Sequence, residues 1–118
     1  MRKTEQRKKL ARVFAKYYRL GLCDARLSVF EVCRRISGCQ RDISHANDLF
    51  AAWATVKKLR ECDRAEDIEL FLTVYLGKRN SVTSLAIRKY YDERTLYRRL
   101  DYVESQYKMI RNSIEAKK

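Results

Sequence analysis

The chain contains no proline and only three glycines among its 118 residues, so almost nothing in it interrupts a helix. It is 46% hydrophobic and 11% aromatic, which is enough apolar material for a packed core and argues against a disordered chain. We therefore predict an all-α protein, a small helical domain of about six helices.

Capping residues and apolar spacing predict where the helices begin and end. The predicted N-terminal caps are Thr4, Asp24, Asp42 or Ser44, Asp63 (with Glu66 in a capping box), Ser81 and Asp92. The predicted helix ends are Gly21, Gly38, a position near Arg60, and Gly77. The apolar face predicted for the second helix comprises Leu27, Phe30, Val32, Cys33 and Ile36. A weak break near Cys62 divides the chain into a helical part, 1–62, and a part with a long C-terminal helix, 63–118, which we expect to form one compact unit.

The formal net charge of +12 indicates a polyanionic partner, most often nucleic acid and less often an anionic membrane surface. The charge is uneven. Residues 1–20 carry eight basic and one acidic side chain, residues 21–80 ten and nine, and residues 81–118 nine and five. The positive ends favour a binding face over general solubility, although the basic side of the first helix also fits a solvated surface.

The cysteines and the histidine predict no metal or cofactor site. Cys23, Cys33, Cys39 and Cys62 form no CxxC pair, and we expect them to be reduced. Cys33, Cys39 and His45 match no zinc spacing. We expect no enzyme, because no glycine-rich phosphate loop or nucleophile–base pattern is present. With no run of ~18 apolar residues, the expectation is a cytoplasmic protein with no membrane partner, associated with the nucleoid when bound to DNA.

The order of elements in residues 65–104 is that of a helix-turn-helix with a supporting helix in front. Ala86 is small where the two helices cross, and Asp92 allows a sharp start for the second helix. Leu96, Leu100 and Val103 form its inward side.

The outward side of that helix carries Arg94 and Arg98 near its start, where a recognition helix meets the bases. We predict that these two arginines read the DNA sequence. The residues predicted to contact or flank the DNA backbone are Lys78, Arg79, Ser81, Thr83, Ser84, Thr95, Tyr97 and Arg99.

The stretch SLAIRKYYDERTLYRRL resembles the helix-turn-helix of sigma factor region 4, with Ala86, Asp92, Thr95 and Leu96 at the matching positions. It departs from that pattern at Lys89 and Tyr90, where the family has an aliphatic residue and a glycine. The whole chain is similar in size and layout to phage transcription regulators of the ArpU/RinA type. The resemblance implies a DNA-binding regulator of phage or prophage genes.

The predicted last helix also carries an apolar seam, which continues from Leu96, Leu100 and Val103 to Tyr107, Ile110 and Ile114. Its distal residues, Tyr107, Ile110 and Ile114, either pack within the chain or form a homodimer suited to a palindromic site. The alternative function is a protein-interaction module that docks through this seam on RNA polymerase or another phage protein. A third hypothesis is an RNA binder that stacks bases on exposed tyrosines.

Overall fold

The computed structural model describes residues 3–24, 26–39, 42–76 and 92–116. Within these ranges it contains five α-helices and no β-strand, which confirms the all-α prediction. The helices are α1 (Lys3–Arg19), α2 (Val29–Cys39), α3 (Ile43–Glu61), α4 (Glu66–Leu76) and α5 (Glu93–Ala116). The further helix predicted to begin at Ser81, and the turn that follows it, lie outside the described residues.

Helices α1, α3, α4 and α5 pack around one core, and α2 packs on α3. The rings of Phe14 and Phe71 meet edge-on with centroids 6.1 Å apart, and Arg7 Nη1 donates to the Tyr75 hydroxyl at 2.9 Å. These two contacts make α1 antiparallel to α4.

Apolar side chains from all five helices close this core. Leu96, Leu100 and Val103 of α5 are each 0% exposed, so the inward face predicted for this helix is confirmed. Burying a side chain of this size contributes roughly 1.5–3 kcal/mol relative to leaving it in water. The single tryptophan, Trp53, is half-buried against the same core.

Gly21 terminates α1, as predicted, and lies two residues after the last helical residue, Arg19. Gly21 has a φ of 71°, in the left-handed region that favours glycine. Its N–H donates to the Tyr18 carbonyl at 3.1 Å, and the next N–H, that of Leu22, donates to the Tyr17 carbonyl at 3.2 Å. This Schellman arrangement satisfies two carbonyls at the helix end and buries Tyr17 beside Leu22.

The predicted start of the second helix is wrong. Asp24 does not cap it, because Asp24 Oδ1 accepts from the backbone N–H of Arg26 at 2.9 Å and from its side chain at 3.1 Å. The helix begins at Val29, where Ser28 Oγ accepts from the Glu31 N–H at 3.2 Å.

The predicted end and apolar face of this helix also need correction. Gly38 lies inside α2, which continues to Cys39. Phe30 is 73% exposed, whereas Val32 and Ile36 are buried. Because residues two apart on a helix point about 200° away from each other, burial of Val32 turns Phe30 toward solvent.

Helix α3 has its predicted cap, since Asp42 Oδ1 accepts from the Ser44 N–H at 2.8 Å. Asp63, however, does not open α4. It has a φ of 58° and follows the last turn of α3, where the Arg64 N–H donates to the Leu59 carbonyl at 2.7 Å. Asp63 therefore takes the left-handed position that ends α3, and the predicted capping box is wrong.

Candidate nucleic-acid interface

Helix α5 begins sharply, as the proposed reading helix requires. Asp92 Oδ1 accepts from the Thr95 backbone N–H at 2.7 Å, which satisfies one of the free donors of the first turn. The Thr95 backbone bond, followed by the Thr95 side chain, holds the pKa of Asp92 below its usual range. The predicted cap at Asp92 is confirmed.

Arg94 and Arg98 lie on the solvent side of α5. At 100° per residue, they point about 160–200° away from Leu96, which is fully buried. Both arginines are exposed, and neither has an acidic partner within hydrogen-bond distance among the described residues.

The other cations of α5 are paired with carboxylates. The closest distances are 3.1 Å for Arg99–Asp67, 3.9 Å for Lys108–Glu104 and 2.7 Å for Arg111–Asp48. The structure thus separates two kinds of basic residue on one helix. Arg99, predicted to flank the DNA, is held by α4, whereas Arg94 and Arg98 face solvent.

Asp67 holds α4 against the start of α5. Its carboxylate is 1% exposed and lies 3.0 Å from Arg64 Nε and 3.1 Å from Arg99 Nη1. The Arg64 guanidinium also stacks 3.6 Å from the ring centroid of Tyr102. Asp67 is not among the residues predicted to cap a helix or to contact DNA. The signal that could have identified Asp67 is its position four residues before the buried Phe71, on the same face of the helix.

Arg7 ties α1 to α5 and was also missed. It is 2% exposed and bonds to Asp101, to Glu104 at 3.4 Å and to Tyr75 at 2.9 Å. Burial disfavours its charge, but the bonds to Tyr75, Asp101 and Glu104 outweigh that effect and raise the pKa of Arg7. Arg7 lies three residues before Leu10, so helical spacing could have placed it on the core side.

The remaining predicted contact residues fall in two groups. Tyr97 is 47% exposed and Thr95 is half-buried at the start of α5. Those outside the described residues are Lys78, Arg79, Ser81, Thr83 and Ser84.

The distal seam of α5 is partly used within the chain. The Tyr107 ring lies 6.0 Å from that of Phe14, and its hydroxyl donates to Asp48 Oδ1 at 3.3 Å. Burial, and then the Asp48 carboxylate, raise the pKa of Tyr107. Ile110 and Ile114 are half-buried. Tyr107 therefore belongs to the intramolecular packing, and the two isoleucines keep part of their surface in solvent.

A second basic surface lies on α1. Lys8, Lys9, Arg12 and Arg19 are exposed and Lys16 is half-buried. Glu5 is the single acidic residue in the helix. None of the five cations forms an ion pair with another described residue. We call these five residues the α1 basic stripe.

A groove of about 490 Å³ runs between α1, α3 and α5. Lys9 and Lys108 line it together with Asp48 and Glu104, so the groove has both positive and negative side chains in its walls. Within the described ranges, no group of three or more His, Cys, Asp or Glu residues is arranged to hold a metal ion. The Cys23, Cys33 and Cys62 thiols are free.

No described helix is both long enough and apolar enough to cross a membrane. Comparisons with protein-family models, with curated proteins and with solved structures found no match to this chain. The function proposed below therefore rests on the residues of this chain and on their geometry.

Proposed function

We propose that this protein is a sequence-specific, double-stranded-DNA-binding transcription regulator, encoded by a phage or prophage, and that α5 is its recognition helix. In this proposal residues 81–89 and α5 form a helix-turn-helix of the sigma-region-4 kind. Arg94 and Arg98 enter the major groove and pair with guanine edges. The residues around Ser81 contact the phosphates.

The observation that carries the proposal is the contrast among the cations of α5. Arg99, Lys108 and Arg111 each have a carboxylate within ion-pair distance. Arg94 and Arg98, which lie in the first two turns of α5, have none among the described residues, and the Asp92 carboxylate acts on them only at longer range. Those turns are the part of a recognition helix that reaches the base edges. Asp92 and Asp67 hold the same turns in place, so the two guanidinium groups start from a fixed backbone.

Selection from a random double-stranded DNA pool at near-physiological salt tests the proposal. We expect one enriched motif with the wild type and none with Arg94→Gln/Arg98→Gln, because each bidentate contact supplies about 1–3 kcal/mol of discrimination between bases. A palindromic motif would also indicate a dimer.

The matched control is Arg34→Gln/Lys57→Gln, which also removes two positive charges at exposed positions but lies on α2 and α3. It should enrich the wild-type motif. If the wild type enriches no motif, or if both variants lose it equally, Arg94 and Arg98 do not read DNA.

A second candidate is a protein-interaction module, which the distal surface of α5 favours. Ile110 and Ile114 lie four residues apart on one face of α5, and each is only half-buried, so this face keeps apolar surface in solvent. This surface would dock on RNA polymerase or on a second copy of the chain. Sedimentation of the wild type and of Ile114→Asp, alone and with purified RNA polymerase, distinguishes these partners from DNA.

A further inference from the structure

The α1 basic stripe has no role in the proposed reading of DNA by α5. Projected at 100° per residue, its five cations occupy an arc of about 100° centred opposite Phe14. Phe14 is 0% exposed in the core, so the stripe lies on the solvent side of α1. Two exposed cations on other parts of the described chain, Arg26 and Arg34, do have a carboxylate beside them, at 3.1 Å and 2.8 Å.

The stripe works against the stability of its own helix. Lys8 and Arg12, and likewise Arg12 and Lys16, are like charges four residues apart, a spacing that destabilises an isolated helix. Among the described residues no carboxylate within ion-pair distance compensates this repulsion, whereas Lys108 and Arg111 of α5 each have one. A polyanion lying along the stripe would compensate it.

We propose that the α1 basic stripe is a second DNA-binding surface, which contacts the phosphates of duplex DNA without reading their sequence. Lys8 to Arg19 spans about 16 Å of helix, which matches about five phosphates of one strand along the duplex axis. The inference takes its partner class from the proposed function, but it does not need α5 to read bases.

The burial of α1 favours DNA over an anionic membrane. A helix that lies in a membrane surface inserts its apolar side among the lipids. In α1 that side consists of Leu10, Phe14 and Tyr17, which are 7%, 0% and 1% exposed. The stripe can therefore bind by charge alone, and the regular line of phosphates on a duplex supplies that charge.

The test measures how affinity for a random-sequence duplex depends on salt. The variants are Lys8→Gln/Arg12→Gln and the control Arg34→Gln/Lys57→Gln, which have the same net charge. Glutamine keeps nearly the same helix propensity as lysine and arginine. A plot of log affinity against log salt should lose about 1.8 in slope for the stripe variant, since each phosphate contact contributes about 0.9. The affinity of this variant near 0.1 M salt should fall roughly tenfold or more.

The control should keep the wild-type slope, and the melting temperature of the stripe variant should not fall, because a repulsive pair has been removed. An unchanged slope in the stripe variant would overturn the inference, as would an equal loss in both variants. Binding to vesicles of equimolar phosphatidylserine and phosphatidylcholine in place of the duplex would also overturn it.

The two proposals fail separately. A wild type that enriches a motif but shows no effect of Lys8→Gln/Arg12→Gln retains the proposed function and loses the second surface. A wild type that binds duplex DNA through the stripe but enriches no motif retains the second surface and loses the proposed function.

Discussion

Arg99 Nη1 lies 3.1 Å from Oδ1 of Asp67, and this ion pair joins the second turn of α5 to the first turn of α4. Asp67 is almost fully buried, whereas Arg99 keeps about a third of its surface in solvent. The buried Asp67 carboxylate therefore needs Arg64 and Arg99 to balance its charge, whereas water can solvate either guanidinium group if the carboxylate is removed. The pair holds the start of the proposed recognition helix against α4.

Replacing Asp67 should destabilise the protein and also weaken DNA binding. We expect Asp67→Ala to lower the free energy of unfolding by about 2–3 kcal/mol, because charge-assisted bonds to Arg64 and Arg99 are lost while both arginines can rehydrate. Urea unfolding measures the change. Glu31→Ala is the control, since it breaks the exposed pair with Arg34 and should cost no more than about 1 kcal/mol. Equal losses of unfolding free energy in Asp67→Ala and Glu31→Ala would mean that the buried ion pairs of Asp67 stabilise the fold no more than an exposed pair does.

Two phenylalanines provide a test of the core. Phe14 is fully buried between Phe71 and Tyr107, so Phe14→Ala should cost about 3–5 kcal/mol of unfolding free energy. Phe30 is 73% exposed, so Phe30→Ala should stay within about 0.5 kcal/mol of the wild type. Thermal and chemical unfolding of both variants measure this. A large loss for Phe30→Ala would place that ring in the core, as its spacing suggested.

The Asp92 cap should give α5 an acid-sensitive start. The folded state lowers the pKa of Asp92, so its stabilisation is present above the unfolded pKa of about 3.9 and is lost as the pH falls through the lower folded value. Amide exchange at Thr95 and Leu96, measured relative to the intrinsic exchange rate at each pH, should speed up over that range. Asp92→Asn keeps a capping oxygen that does not titrate, and its first turn should lose this pH dependence. The same acceleration in Asp92→Asn would assign it to another group.

Buried tyrosines should make the protein lose stability at alkaline pH. Burial raises the pKa of Tyr17 to about 12, and it also raises the pKa of Tyr18 and of Tyr107. Because the unfolded pKa is about 10, stability is constant below that pH and is lost as the pH rises toward the folded values.

Melting temperatures between pH 8 and pH 11 test this, with tyrosinate absorbance as a second readout. These three tyrosines should ionise late or together with unfolding. The Tyr17→Phe/Tyr107→Phe variant should lose less stability over the same range than the wild type does. A wild type and a variant with the same pH profile would contradict the prediction.

Sequence spacing determined the parts of the fold that depend on local rules. The absence of proline fixed the helical class, and Gly21, Asp42 and Asp92 marked helix ends correctly because each acts on its own backbone. The Leu96–Leu100 spacing identified the core face of α5 for the same reason, since helical periodicity is local.

Only the tertiary structure decided which polar groups are used inside the molecule. Arg99, a partner of Asp67, and Asp101, a partner of Arg7, lie on another helix, 32 and 94 residues away, and no local rule connects residues so far apart. The same packing turned Phe30 toward solvent and placed Tyr107 against Phe14 and Asp48 inside the molecule. The sequence supplied a chain rich in arginine and lysine, and packing decided that Arg7 and Arg99 hold the fold while Arg94 and Arg98 remain in solvent.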